Sequence, residues 1–289
     1  MKNALFTGAC TALVTPYLED KVNYPMVEQL LQRQMDAGIQ AVVLAGTTGE
    51  APTLSDREKL ELFRRGKSYV RDKCMIIAGT GSNSTEHAIA LSKAAQDAGA
   101  DALLVVTPYY NKATPDGLYA HYSAIASEVH IPIIVYNVPG RTGVDVPVSV
   151  YQRLSQIPGI AGVKEASTDI SKIAKIRAAC PKDFYIWSGN DDQAVAVMSL
   201  GGQGVISVAS NVAPVEVQAM ATAALDGDFD TAAALQIELL PLIELLFCEV
   251  NPIPVKAAMR YIGFDCGGCR LPLTPLSKVN QKRLEAYFA

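Results

Sequence analysis

No stretch of the sequence reaches the ~18 consecutive apolar residues that a membrane span needs. The opening MKNALFTGACTALVTPY also lacks a sustained apolar core followed by a cleavage site. A cytoplasmic location is the expectation. An excess of positive charge is absent too: the formal net charge is -4 and the sequence pI is about 5.5, which gives no field to attract nucleic acid or anionic lipid. No nucleic-acid or membrane partner is expected, and an anionic substrate would have to be held by a few local cations. Histidine is scarce, and His87, His121 and His130 lack ligand spacing, so no metal is expected. The six cysteines are scattered, several inside apolar runs where a reduced thiol behaves as a small hydrophobe, which argues against a disulfide framework. Cys266 and Cys269 form a C-x-x-C, but no second pair accompanies it at zinc spacing, and a plain loop is the favoured reading. The glycines at 201–204 precede a strand instead of joining strand to helix, so they make no dinucleotide fingerprint.

What the chain does have is apolar residues in short, regular runs. Of 289 residues, 49% are hydrophobic and 19% charged, enough to bury a large core. Runs at 9–14, 41–45, 75–78, 102–106, 131–136, 160–164, 184–187 and 204–208 alternate with amphipathic segments, the pattern of βα units around a parallel sheet. Eight such units favour an α/β fold closed as a (β/α)8 TIM barrel over an open sheet. The expected catalytic barrel spans residues 1–226, and the helical pattern of 227–289, broken at 251–254 and by a Gly/Cys loop before Arg270, reads as a C-terminal extension packed on it. AGIQAVVLAG from Ala37, AGADALLVVT from Ala98 and GGQGVISVAS from Gly201 form a weak repeat with glycine at each helix-to-strand junction. Ser55 with Glu58 reads as a capping box opening a helix through Arg71, and Asp116 as a cap of the helix that includes Tyr119.

Barrels of this kind place their chemistry on the loops at the C-terminal ends of the strands. Lys164 ends an otherwise uncharged strand, and alternation puts it on the face of Ile160 and Gly162. If that face is the barrel interior, burial disfavours the charged ammonium and leaves the free amine that imine formation requires. A solvated lysine, or one paired with Glu165, is the competing reading. Tyr136 ends the fifth strand, where a phenol could pass protons to a neighbouring lysine or simply pack. Thr47 and Thr48, in TTGE, offer hydroxyls and backbone N–H groups for a carboxylate, or form an ordinary turn. Tyr109 and Tyr110, if extended, point in opposite directions, so one of them could face a partner subunit. Arg141 in PGRTG could present its planar fork to a carboxylate, or lie free on the surface. Asp191 and Asp192 follow Gly189 at a helix start, where acidic caps are common.

Eight ordered motifs span nearly the whole chain: GTTGE at 46–50, AGTGSN at 78–83, TPYYN at 107–111, YNVPGRTG at 136–143, GVKEAS at 162–167, SGND at 188–191, GVISV at 204–208 and NPIPVK at 251–256. Together they resemble the pyruvate-dependent Schiff-base lyases, a family that includes dihydrodipicolinate synthases and N-acetylneuraminate lyases. The nearer likeness is to the synthase branch, whose Y-N-V-P-x-R-T-G arginine binds a semialdehyde carboxylate. Neuraminate lyases are expected to lack that arginine and to carry serine in G-S-T-G-E. The resemblance implies an imine on Lys164 and a proton relay of Tyr136, Thr47 and a Tyr110 lent by the neighbouring subunit. It also implies contacts from Thr48 and the Ile206 backbone to pyruvate, from Arg141 to L-aspartate 4-semialdehyde, and Gly189 close by. A homotetramer built from two tight dimers, no cofactor, and a place in lysine (diaminopimelate) biosynthesis belong to the same implication. An effector pocket for L-lysine would involve Asn83 and Tyr109. There Lys59 and His87 stand where lysine-sensitive members carry histidine and glutamate, which implies weak or absent inhibition. Two other readings are a sugar-acid lyase or aldolase of the same family, and a non-catalytic barrel that only binds.

Overall fold

The structure, a computed structural model, describes residues 4–289, so the first three residues of the expected 1–226 barrel lie outside it. Eight parallel strands close into a barrel: β1 (Gly8–Ala12), β2 (Ala41–Leu44), β3 (Met75–Gly79), β4 (Ala102–Val106), β5 (Ile133–Asn137), β6 (Ile160–Glu165), β7 (Tyr185–Ser188) and β8 (Gly204–Ser207), with β8 pairing back to β1. Each expected run overlaps one of these strands, and the ends agree to within two residues. Short, mostly apolar strands suit this closure because both faces are covered. One face of each strand packs inward, giving a layer that includes Cys10, Val43, Ile77, Leu104, Ile134, Trp187 and Ile206. The other face meets the surrounding helices through Val42, Ile76, Leu103, Val135, Val163, Ile186 and Val205. Phe6 stacks on Trp187 with ring centroids 4.9 Å apart, and its carbonyl accepts from the Trp187 indole.

The helix boundaries follow from local chemistry. Ser55 and Glu58 form the reciprocal capping box that opens the helix Asp56–Val70. Gly38, Gly99 and Gly201 take φ of +77°, +94° and +89° just after helices end, a region costly for residues with a Cβ. Asp116 does not cap the helix Pro115–Ala126; Thr114 does, accepting from Gly117 N, and Asp116 sits in the first turn. A two-residue hairpin, Tyr17–Leu18 with Lys21–Val22, and the short helix Pro139–Thr142 have no counterpart in the sequence pattern.

The boundary at 226/227 falls in the turn between helices Pro214–Leu225 and Phe229–Leu246. Helices Ile253–Tyr261 and Lys278–Phe288 follow, and Leu242, Leu246, Val255, Met259 and Leu284 join the apolar cluster that contains the barrel-covering Val217 and Met220. Among the described residues no helix is long and apolar enough to cross a membrane.

Candidate active site

At the C-terminal end of the barrel, β5 and β6 run side by side with Tyr136 opposite Lys164 and Asn137 opposite Glu165. Strand alternation is interrupted once in β6. The register shifts between Ile133↔Ile160 and Ile134↔Gly162, so β6 carries an extra residue at Ala161 and Ile160 belongs to the outer cluster. Gly162 and Lys164 remain in phase with each other. Lys164 is only 5% exposed, and its Nζ lies 4.3 Å from the centre of the Tyr136 ring. The next residue, Glu165, is not its partner. Glu165 takes the opposite face, where its carboxylate accepts from Asn137 Nδ2 at 2.8 Å, Ser167 N at 2.9 Å and the Tyr151 hydroxyl at 2.9 Å.

The loop after β2 is a tight fold held from both sides. Glu50 N donates to Thr47 O and Ala51 N to Gly46 O, while Ala45 and Glu50 take left-handed φ of 51° and 57°. A Cβ at Gly49 would meet Leu13 O at 3.1 Å, so this close turn against β1 favours glycine. Thr48 is buried, and its hydroxyl accepts from Asn251 Nδ2 at 3.0 Å. The Asn251 carbonyl in turn accepts from Arg141 Nη2 at 3.4 Å. Asn251 of the C-terminal extension thus bridges two proposed substrate contacts that lie far apart in sequence. The Arg141 side chain is otherwise exposed, on the short helix after β5.

Ile206 is fully buried in the inner layer of β8. A side chain at Gly189 would come within 2.6 Å of the Ala166 methyl, and Gly189 N donates to Glu165 O, which draws the loops after β6 and β7 together. Tyr110 is 90% exposed with φ of 71°, so the assumption that Tyr109 and Tyr110 are both extended does not hold. A left-handed, outward-facing tyrosine is costly for an isolated chain. Asn83 O accepts from Asn111 of the same TPYYN segment. Lys59 and His87 come together on one carboxylate, Asp56, at 3.5 and 2.8 Å. The His87 hydrogen bond, with Lys59 assisting, holds Asp56 below its usual range.

Asp191 corrects the capping expectation. It starts a 3-10 turn, but its buried carboxylate accepts from Val208 N at 2.9 Å and Ala209 N at 3.2 Å, tying β7 to the end of β8. Burial pushes its acid up, opposed by these donors, the Ser207 hydroxyl and the nearby Lys164. Sequence reasoning also left Glu50, Lys256 and Asn251 without roles, although the NPIPVK motif contains two of them. Burial pushes the Cys266 and Cys269 thiols up to about 12 and about 11, so both stay protonated at neutral pH. Among the described residues no three or more His, Cys, Asp or Glu are grouped to hold a metal.

The chain matches the model of the dihydrodipicolinate synthetase family over residues 5–289. A 4-hydroxy-tetrahydrodipicolinate synthase of Acetivibrio thermocellus is 45% identical over 280 residues, covering 97% of this chain and 95% of the relative. A dihydrodipicolinate synthase of Aquifex aeolicus superposes with a TM-score of 0.96 at 40% identity, covering 98% and 97% of the two chains. The enzyme of Acinetobacter baumannii, solved in complex with pyruvate, gives 0.95 at 43% identity over 97% of each chain. Fold and site therefore define a barrel lyase of the class I aldolase type. The chain belongs to the dihydrodipicolinate synthetase family.

Proposed function

We propose that this protein condenses pyruvate with L-aspartate 4-semialdehyde through an imine on Lys164, the reaction of a 4-hydroxy-tetrahydrodipicolinate synthase in lysine biosynthesis. The observation that carries the reading is the placement of Lys164, buried at the mouth of the barrel against the Tyr136 ring while Glu165 faces away. The Lys164 amine attacks the keto carbon of pyruvate, and loss of water from the carbinolamine leaves the imine. Tyr136 is placed to move protons in that step. Loss of a methyl proton gives the enamine, whose carbon bonds to the aldehyde carbon. The semialdehyde's own amine then displaces Lys164, closing the ring and freeing the enzyme. The lysine imine supplies the electron sink.

Thr47 completes the relay with Tyr136, and the exposed Tyr110 of a second copy reaches into the site. Thr48 and the Ile206 backbone contact the bound pyruvate, with Gly189 close to the site. Arg141, steadied by the Asn251 carbonyl, receives the semialdehyde carboxylate. A shared Tyr110 requires at least a dimer, and a pair of tight dimers fits the family. A cytoplasmic location fits a biosynthetic enzyme of this kind.

The test is product formation by the purified protein with pyruvate and L-aspartate 4-semialdehyde, against hydroxylated sugar aldehydes under matched conditions. Preference for a hydroxylated aldehyde would favour a sugar-acid lyase. Tyr110→Phe should impair turnover, and full activity in a monomer verified by sedimentation would remove the shared tyrosine from the account.

A further inference from the structure

Strand alternation gives each residue of the Tyr136–Lys164 pair a successor on the opposite face, and the two successors are bonded to each other. Asn137 and Glu165 are register partners, 0% and 2% exposed, with Asn137 Nδ2 2.8 Å from Glu165 Oε1. The same Nδ2 donates to Asp145 at 2.8 Å, and Asn137 Oδ1 accepts from Val146 N at 3.1 Å. Glu165 Oε2 accepts from the Tyr151 hydroxyl, and the Lys172 ammonium lies 3.6 Å from it while also pairing with Asp145. Burial, then the Glu165 charge, push the Tyr151 phenol up, so it stays a neutral donor.

Two arms of this cluster end on loops that serve the site, and the others end on the helices behind it. Asp145 and Val146 close the loop that carries Arg141. Ser167, donating to Glu165 Oε1, closes the loop after Lys164, and Tyr151 and Lys172 come from the helices behind β5 and β6. A buried carboxylate with this many donors is satisfied only in one arrangement, since polar networks of this kind specify geometry when complete and become costly when broken. The strand ladder fixes which residues are opposite. The Asn137–Glu165 bond adds a side-chain tie across β5 and β6 at the register position next to the reacting groups.

We propose that Asn137 and Glu165 are positioning residues for the reaction: a clamp on the outer face of the barrel that sets the approach of the Tyr136 phenol to Lys164 on the inner face. The inference rests on the reading of Lys164 as the nucleophile. The clamp touches no substrate, so its loss acts on the chemical steps and not on affinity. A misplacement of about 1 Å can cost up to roughly a hundred-fold in rate.

The experiment is a double-mutant cycle in the intact oligomer, with Asn137→Ala and Tyr136→Phe made singly and together, and Tyr151→Phe as a second clamp variant that removes one hydroxyl. The readouts are kcat, the pyruvate KM and the rate of borohydride-trapped imine formation. Asn137→Ala is expected to lower kcat roughly ten-fold or more, with pyruvate KM changed by no more than about three-fold. Tyr136→Phe is expected to cost much less in the Asn137→Ala background than in the unmodified protein, because the phenol is already misplaced. Tyr151→Phe should shift kcat in the same direction by less, and it carries the test if Asn137→Ala does not fold. Unchanged kcat in the folded clamp variants, or the full Tyr136→Phe penalty in both backgrounds, would overturn the clamp. Trapping of pyruvate on Lys164 in the unmodified protein separates the two readings: its failure removes the functional assignment, whereas its success with an additive cycle removes only the clamp.

Discussion

Lys256 Nζ lies 2.8 Å from Glu50 Oε1, joining the C-terminal extension to the loop that carries Thr47 and Thr48, and both side chains are buried. The ammonium also donates to the Thr15 and Gly268 carbonyls, and Glu50 Oε2 accepts from Arg270 N. A buried pair so fully bonded resists removal of one member, because the charge left behind has no solvent. Lys256→Met is expected to destabilise the protein by about 3–5 kcal/mol. Denaturant unfolding checks this. A loss below about 1 kcal/mol would mean that the pair behaves like an exposed one.

Glu58 links the same extension to the helix after β2 and gives a pH dependence. The Arg270 guanidinium, bonded to the Glu58 carboxylate at 2.7 Å, holds its acid down from 4.5 to about 2. The folded acid lies below the unfolded one, so this contribution is complete above about pH 4.5 and is lost as the pH falls through about 2. Between those values Glu58→Gln should flatten the dependence of stability on pH, with its size reduced by solvent screening at this partly exposed group. Thermal unfolding of the two proteins in matched acidic buffers is the measurement, and parallel slopes would contradict the assignment.

Among the described residues the Arg141 guanidinium donates only to the Asn251 carbonyl, at 3.4 Å, which leaves its fork available for an anion. Arg141→Ala is expected to raise the semialdehyde KM at least about ten-fold, consistent with loss of a charge-assisted hydrogen bond worth about 1.5–3 kcal/mol. Pyruvate imine formation should change little. Arg141→Lys should also be impaired, because an ammonium cannot reproduce the planar fork. Unchanged semialdehyde kinetics in both variants would remove Arg141 from the site.

The helix ends near Asn83 and Tyr109 bear on feedback. Lys59 and His87 both lie against Asp56, whose carboxylate is therefore already engaged. A cationic effector would meet a fixed cation at Lys59 and find no carboxylate at His87. Inhibition by L-lysine should be weak or absent in a steady-state titration at saturating pyruvate. Near-complete inhibition below about 1 mM, an affinity of roughly -4 kcal/mol, would show a working pocket.

The barrel was legible in the sequence because its strands are short apolar runs and its junctions carry glycine, as at Gly38, Gly99 and Gly201. Single-residue geometry was not legible. The extra residue at Ala161 breaks an alternation that reads as regular, and the left-handed turn at Tyr110 undoes an argument that assumed extension. Lys164 and Tyr136 stood out because a charge or a phenol closing an apolar strand is visible in one dimension. The roles of Asn251, Lys256 and Asp191 were not visible in this way, since they lie in partners about 17 to 206 residues away in sequence, such as Thr48, Glu50 and Val208.

Borohydride reduction in the presence of pyruvate alone, followed by peptide mass spectrometry, tests the assignment of Lys164 as the nucleophile most directly. The reduced pyruvyl adduct is expected on the peptide containing Lys164, and Lys164→Ala should lose both the adduct and nearly all turnover. An adduct on a different lysine, or none in a protein that turns over, would contradict the assignment.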